Sequence, residues 1–506
     1  ITFYYNSNNT VEGGAGDDWL KMEGIDYSLS QGYMNTLAGG AGNDRMESGG
    51  NADTYLFNRG DGQDVIYDYD RYGYGRTDRL VFGAGIAAGD VTVRRSGNHL
   101  VLTVADPANP AAVDKVTIEN WDTGAYRVEQ VVFADGTTWD KTQLGNLAMT
   151  GTDGADLLTQ WSDGTFVDGK GGDDTITSGN SNATIYGGAG NDTITDSSGN
   201  DTIDGGSGDD VITDTGSGTN VLRGGDGNDR ITFGFLANNT VEGGAGNDLL
   251  KVDRMQSGSW MYSNTFAGGI GNDRIESSSS ADTYLFNRGD GQDTINDNDY
   301  NGYGKTDRLV FGAGIAAGDV TVRRSGNHLV LTIADPANPA ATDQVTIENW
   351  GTGIYRIEQL VFADGTTWTA SELSAMAIAG TDGADTIWMW NDSTFVDGKG
   401  GNDTIYAGGA AATIYGGDGN DTINSYTGNE TVDGGAGDDV IRDQGSGTNV
   451  LRGGDGRDTI TFYYNSNNTV EGGAGDDWLK MEGIDYSLSQ GYMNTLAGGA
   501  GNDRME

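Results

Sequence analysis

The sequence predicts an all-β chain: a parallel β-solenoid of short coils, alternating with antiparallel β segments, together forming an elongated rod. Three observations predict it. A phrase Gly-Gly-x-Gly-x-Asp, followed by a short stretch centred on a large aliphatic residue, occurs twelve times in strict form within 506 residues. Copies keep a register of nine, or of eighteen and nineteen, over long stretches. A larger unit of about 230 residues encloses them, because residues 1–47 return unchanged at 460–506 and a diverged copy begins at Ile231.

The strict copies end in Asp18, Asp44, Asp192, Asp210, Asp229, Asp248, Asp273, Asp421, Asp439, Asp458, Asp477 and Asp503. Near-copies with Lys in place of the second glycine end in Asp174 and Asp403, and Gly-Thr-Asp-Gly-Ala-Asp copies end in Asp156 and Asp385. Glycines permit positive φ and close approach, so six residues can turn with their carbonyl oxygens inward. The closing Asp adds a carboxylate to that ring, and an all-oxygen site of this kind suits calcium. The next three residues form a strand whose middle side chain points inward. That position holds Ile194, Ile212, Ile231, Leu250, Ile423 and Ile441.

From Gly151 the chain runs in unbroken nines through Thr213; one inserted residue, Asp214, precedes the next block. Well-formed blocks alternate with degraded ones. With two blocks per coil, one edge carries a ladder of calcium sites, roughly one ion per good turn and roughly 15 to 20 in all. The other edge is expected to be calcium-poor, with Asp201 as its best remaining ligand. The blander alternative, a glycine-rich disordered linker, does not place Ile or Leu at every ninth or eighteenth residue.

The clean copy Gly187-Gly188-Ala189-Gly190-Asn191-Asp192-Thr193-Ile194-Thr195 resembles the nonapeptide of the RTX, or haemolysin-type calcium-binding, family. That resemblance implies a calcium-bound β-roll, export by type I secretion, and folding on extracellular calcium at or beyond a bacterial surface. Between arrays the texture changes. The stretches Asp78-Arg79-Leu80-Val81-Phe82-Gly83, Val116-Thr117-Ile118-Glu119-Asn120-Trp121 and Phe133-Ala134-Asp135-Gly136-Thr137-Thr138-Trp139 resemble the haemolysin-type calcium-binding-related domain. The expected organisation is the end of a roll at 1–47, a related β segment at 48–150, a roll at 151–276, a second related segment at 277–379 and a second roll at 380–506. β-branched alternation predicts strands in the segments, and Ser96-Gly97-Asn98 predicts a hairpin turn. Helix is expected only near 141–148 and 370–377. Where the segments join the rolls, at 48–53 and 277–282, glycines are lost and a calcium turn is not expected. Asp64 and Asp293, each closing Gly-Asp-Gly-Gln-Asp, are further ligand candidates. The tandem pattern predicts a window of a longer array.

The formal net charge is −46, from 75 acidic and 29 basic residues. Self-repulsion on that scale opposes compaction, so folding is expected to be coupled to cation binding. Such a chain lacks the basic footprint of a nucleic-acid binder. No apolar run is long enough to span a membrane. There is no cysteine, so calcium takes the stapling role of a disulfide.

Other motifs reduce to structure. Arg59-Gly60-Asp61 and Arg288-Gly289-Asp290 spell a receptor-binding tripeptide but sit in turns. His99 and His328, one per unit, make neither a metal cluster nor a triad. The run Tyr67, Tyr69, Tyr72 and Tyr74 reads as an exposed sticky loop or as packing over a neighbouring coil. No H-E-x-x-H or G-x-S-x-G occurs, and no catalysis is expected. Among relatives of this kind, ice binding would want Thr at the third turn position, which here is Ala, Ser, Asp, Gly or Ile. The expected function is a calcium-locked structural rod in a filament, surface layer or adhesin stalk, self-associating or meeting neighbouring copies. The alternatives are the calcium-folding region of a secreted toxin or enzyme, or a glycan- or cell-binding adhesin module.

Overall fold

Short strands separated by glycine turns give each coil two strands, one in each of two facing sheets. The computed structural model describes the chain apart from residues 5–6, 24–32, 71–76, 111–112, 162–164, 180–181, 235–237, 254–261, 279, 299–305, 340–341, 391–394, 409–410, 427, 446, 464–466 and 484–491. It forms two compact units, Ile1–Gln256 and Ser257–Glu506.

In the first unit, Leu157–Thr159, Thr175–Thr177, Thr193–Asp196, Val211–Asp214, Arg230–Gly234 and Leu249–Asp253 pair in parallel in that order. The facing sheet runs Phe166–Asp168, Thr184–Ala189, Thr202–Ser207, Thr219–Asp226 and Asn238–Ala245. The core sets the register. Ile176, Ile194, Ile212, Ile231 and Leu250 stack in one column, and Val167, Ile185, Ile203, Leu222 and Val241 in the other, all fully buried. Thr193 and Thr195, flanking Ile194, point outward, as the period of two requires. Each buried aliphatic contributes about 1.5–3 kcal/mol, and most strands carry one, with Phe233 and Val252 adding a second apolar side chain on Arg230–Gly234 and Leu249–Asp253, so the core is narrow but continuous.

The second unit repeats this architecture. Thr386–Trp388 through Trp478–Glu482 build one parallel sheet with the column Ile387, Ile405, Ile423, Ile441, Ile460 and Leu479. Phe395–Asp397 through Thr495–Ala500 build the other, around Val396, Ile414, Val432, Leu451 and Val470.

The inter-array segment differs from expectation at its root. Ala52–Phe57 and Gln63–Asp68 stack as a further coil on Met34–Ala41 and Arg45–Ser48. Both sheets then continue in parallel: Gln63–Asp68 pairs with Asp114–Ile118, and Arg79–Phe82 with Gln130–Val132. The pairs Ile66–Ile118 and Leu80–Val131 extend the two core columns, so burial favours this order. Beyond it the pairing turns antiparallel, through His99–Val104 and Val91–Ser96 on one sheet and Thr138–Asp140 on the other. Gly97, with φ at 59°, makes the tight hairpin between Ser96 and His99. The second unit has the same parallel root, Gln292–Asp297 with Asp343–Ile347 and Arg308–Phe311 with Gln359–Val361.

Helices form at the two expected places, α1 (Lys141–Ala148) and α2 (Ala370–Ala377). The Asp140 carboxylate caps α1 by accepting from the Gln143 N–H at 2.8 Å, and Leu144 and Ala148 face the core. Thr369 and Glu372 form a reciprocal capping box on α2.

Because Ile194 is the one apolar side chain that Thr193–Asp196 buries, Ile194→Ala is expected to cost about 2–5 kcal/mol of calcium-bound stability. Thr195→Ala, on the outer face, should change it by less than about 0.5 kcal/mol. Thermal unfolding in saturating calcium tests the contrast, and equal melting temperatures for the two variants would contradict the register.

Candidate metal centre

The position-six aspartates form a ladder along one edge of each roll. In the first unit, Oδ1 of Asp174 accepts from the Asp156 backbone N–H at 2.7 Å. The same bond joins Asp174 to Asp192 at 2.8 Å, Asp192 to Asp210 at 2.7 Å, Asp210 to Asp229 at 2.8 Å and Asp229 to Asp248 at 2.7 Å. Asp18, Asp44 and Asp64 make a shorter run, with Asp18 donating to Asp44 at 2.7 Å and Asp44 to Asp64 at 3.0 Å. In the second unit Asp273 donates to Asp293 at 3.1 Å, and the long ladder runs Asp385, Asp403, Asp421, Asp439, Asp458, Asp477 and Asp503 at 2.7–3.1 Å. Asp64 and Asp293 thus join the ladder that the strict motif defines.

The second carboxylate oxygen is the telling one. Oδ2 of Asp44, Asp64, Asp174, Asp192, Asp210, Asp229, Asp403, Asp421, Asp439, Asp458 and Asp477 is buried without a hydrogen-bond partner. It lies among backbone carbonyls. A Cβ placed on Gly187 would collide with both Asp192 Oδ2 and the Gly205 carbonyl of the next coil, and Gly205 repeats this with Asp210 Oδ2 and Gly224 O. Gly188, at φ +114°, would collide with the Lys170 carbonyl of the preceding coil. Glycine is required because converging oxygens fill the space. A buried carboxylate oxygen beside carbonyl oxygens has no donor to satisfy it, and a hard cation satisfies it. The residues present therefore fit calcium, which would supply the positive charge that the donor set lacks.

Two candidates differ from the rest. Asp156 Oδ2 accepts from the Thr152 N–H at 2.6 Å and the Thr152 hydroxyl at 2.8 Å, and Asp385 is held in the same way by Thr381. Replacing the second glycine with Thr turns these carboxylates into their own loops.

Asp201 lies on the opposite edge, where sequence reasoning saw little. Its Oδ1 accepts from the Ala183 N–H at 2.6 Å, and its own N–H donates to Asn220 Oδ1 at 2.9 Å. In the second unit, Glu430 donates from its N–H to Asn449 Oδ1 at 2.9 Å and leaves both carboxylate oxygens buried and unpartnered. Asp196, Asp214 and Asp443 are buried beside this column. Asp214, expected from the spacing to be an insertion, pairs in register with Asp196, and the extra residue falls in the turn after it; Asp214 is a structural acceptor there, taking bonds from Gly216 N–H at 2.8 Å and Asn220 Nδ2 at 2.5 Å. A further column at position five runs along the exposed side of the turns: Asn191 donates its N–H to Asp173 Oδ1 at 2.8 Å, Asp209 to Asn191 at 2.7 Å and Asn228 to Asp209 at 2.7 Å. Position six accepts from the preceding coil and position five from the following one, so the coils are stitched in both directions.

Burial pushes the ladder carboxyls up, Asp192 to about 6 and Asp210 and Asp439 to about 7; the bond from the preceding N–H pulls down, and neighbouring aspartates push up again. A carboxyl raised in the folded state destabilises that state once pH exceeds the ordinary value near 3.8, and the penalty is complete above the raised value. A bound cation reverses the sign.

The remaining motifs resolve structurally. Asp61 is buried and accepts from the Asn58 N–H at 2.7 Å, while the Arg59 guanidinium binds the Ala105 and Gly85 carbonyls at 2.7 Å. His99 Nδ1 accepts from the Asn120 N–H at 3.0 Å, and His328 repeats this with Asn349 at 3.1 Å. Tyr67 and Tyr69 pack on Tyr126 with ring centroids 5.1 and 4.8 Å apart; Tyr72 and Tyr74 lie outside the described residues.

Two sequence families match this chain. The RTX calcium-binding nonapeptide repeat matches residues 5–21, 31–66, 163–194, 177–212, 214–250, 262–295, 391–423, 408–441, 443–461, 464–480 and 490–506, more than half of the chain. The haemolysin-type calcium binding protein related domain matches 99–143 and 328–372. Over 116 residues the chain is 36% identical to the iron-regulated protein FrpA of Neisseria meningitidis serogroup C, a stretch covering 23% of this chain and 10% of that protein. Among solved structures, the extracellular lipase LipA from Serratia marcescens aligns with 72% of this chain and 40% of its own, at 18% identity and a TM-score of 0.14.

Asp210→Asn keeps the Oδ1 acceptor but removes the charge, and is expected to raise the calcium concentration at half-folding by roughly several-fold. Asp209→Asn, on the exposed column, should shift it by less than about twofold. A calcium titration followed by circular dichroism measures both, and equal shifts would contradict the assignment. In exhaustively demetallated protein, strand content should rise as pH falls from about 8 to about 4. Strand content that is full and constant across that range without metal would contradict the burial of unpaired charge.

Proposed function

Because the chain belongs to the RTX calcium-binding nonapeptide repeat family, we propose that it is a calcium-locked structural repeat protein, exported by type I secretion and working outside the cell or on a bacterial surface. Its rolls serve as rigid rod segments of a filament, surface layer or adhesin stalk. The observation that carries this reading is the ladder of buried, unpartnered carboxylate oxygens repeated coil after coil in both units. Each coil touches only its neighbours, so stability is a sum over repeated interfaces, and repetition extends length without new contacts.

Calcium in this reading has one role, to neutralise the ladder and hold successive turns together. The ligands are Asp18, Asp44, Asp64, Asp174, Asp192, Asp210, Asp229, Asp248, Asp273, Asp293, Asp403, Asp421, Asp439, Asp458, Asp477 and Asp503 with the turn carbonyls; Asp201 serves the opposite edge, and Asp156 and Asp385 close the first turns of their arrays. Roughly one ion per good turn offsets most of the −46 formal charge. No catalysis is assigned to this chain. Among the described residues no helix is long and apolar enough to cross a membrane. The lateral partner is a second copy of the same protein.

Electron microscopy of the protein in millimolar calcium, and again after chelation, tests the proposal. Filaments or sheets that dissolve on chelation are the expected result. Isolated particles in calcium would remove the self-association, and a morphology indifferent to chelation would remove the calcium lock.

A further inference from the structure

The joint between the first roll and its inter-array segment keeps only part of the glycine turn, since residues 48–53 read Ser-Gly-Gly-Asn-Ala-Asp, with Ser and Asn where the motif has its first and last glycines. The carboxylate survives the loss. Asp53, on Ala52–Phe57, is fully buried, and the next coil brings Asp68, at the end of Gln63–Asp68, and Asp78, just before Arg79–Phe82, to the same place. One carboxylate oxygen from each lies within 4.8 Å of the other two, and none of the three residues is more than 1% exposed.

Hydrogen bonds engage both oxygens of Asp53 but only one oxygen each of Asp68 and Asp78. Asp53 Oδ1 accepts from Asn35 Nδ2 at 2.7 Å and from the Asn35 N–H at 3.2 Å, and its Oδ2 accepts from the Ser48 hydroxyl. Asp68 Oδ2 accepts from the Tyr55 hydroxyl at 3.0 Å, and Asp78 Oδ1 from the Asp53 N–H at 2.6 Å. Asp68 Oδ1 and Asp78 Oδ2 are buried with no partner. The charged groups acting on Asp68 are Asp78, Asp53 and Asp70, all of its own sign. Converging buried carboxylates of one sign are held either by protons or by a cation, and a rigid all-oxygen set favours a hard divalent cation.

We propose that Asp53, Asp68 and Asp78 form a divalent-cation site of the calcium class, built from three side chains rather than on the full glycine turn, which fastens the last coil of the roll to the inter-array segment. Its second copy is Asp282, Asp297 and Asp307. These are also buried to within 1%, with Asp307 Oδ1 accepting from the Asp282 N–H at 2.7 Å and Asp282 Oδ1 from the Asn264 N–H at 2.8 Å. The site stands on different residues and the opposite edge from the nonapeptide ladder, and it does not depend on the rod or filament reading.

Native mass spectrometry of the full chain in calcium counts bound ions as integers. The double variant Asp68→Asn/Asp78→Asn is expected to carry one calcium fewer than the parent, and adding Asp297→Asn/Asp307→Asn one fewer again, with unchanged circular dichroism in calcium. A folded variant with the parent's count would overturn the proposal and leave the cluster held by protons. Should the variant fail to fold, crystals of the unaltered chain grown with terbium decide. Anomalous density between the three carboxylates supports the site, and density at the nonapeptide turns alone overturns it.

Discussion

Everything in this molecule depends on one oxygen atom repeated many times, the Oδ2 of the position-six aspartate. Oδ1 is committed to the backbone N–H of the preceding coil, as between Asp174 and Asp192 at 2.8 Å. That bond fixes the carboxylate and aims Oδ2 into a turn whose other inward groups are carbonyl oxygens. The arrangement is unfavourable by itself, since a buried charge without a partner costs several kcal/mol. A cation shared by that oxygen and the carbonyls would remove the cost and hold the two coils together. Stability and metal occupancy are therefore one property.

The apolar core explains why the rest of the coil can be so spare. A single aliphatic column per sheet, such as Ile176, Ile194, Ile212, Ile231 and Leu250, fixes the parallel register. The strands are too short to specify pairing on their own, and a slip of one residue would expose the whole column. The step from Ile212 to Ile231 carries one residue more than the steps before it; Asp214 keeps register with Asp196, so the extra residue is taken up in the turn between Asp214 and Asn220, where Asp214 serves as a buried acceptor. The inter-array segments inherit both columns, through Ile118 and Val131, before turning antiparallel.

Most of this was legible in the sequence, for a physical reason. A solenoid converts local spacing directly into stacking, so a register of nine places Ile194 inside and Thr195 outside without long-range information. The glycine-bearing ladder followed in the same way. The opposite edge was read as poor because the reading keyed on the full glycine pattern, whereas Asp53, Asp78, Asn220 and Asn449 accept a backbone N–H of the preceding coil through their side chains after that pattern has degraded. The parallel root of the inter-array segment was hidden because it joins Ile66 to Ile118, a pairing that no local pattern encodes. Nor did the motif separate Asp156 and Asp385 from their neighbours; the hydroxyls of Thr152 and Thr381 do that.

Amide hydrogen exchange at Asp174, Asp192, Asp210 and Asp229, with calcium and after its complete removal, tests the central claim most directly. Each of these N–H groups is bonded to the carboxylate of the next coil. Slow exchange in calcium and fast exchange without it is the result this account predicts, because the ladder cannot hold its charge unaided. Equal protection in both states would show that the coils stack without a cation, and would contradict it.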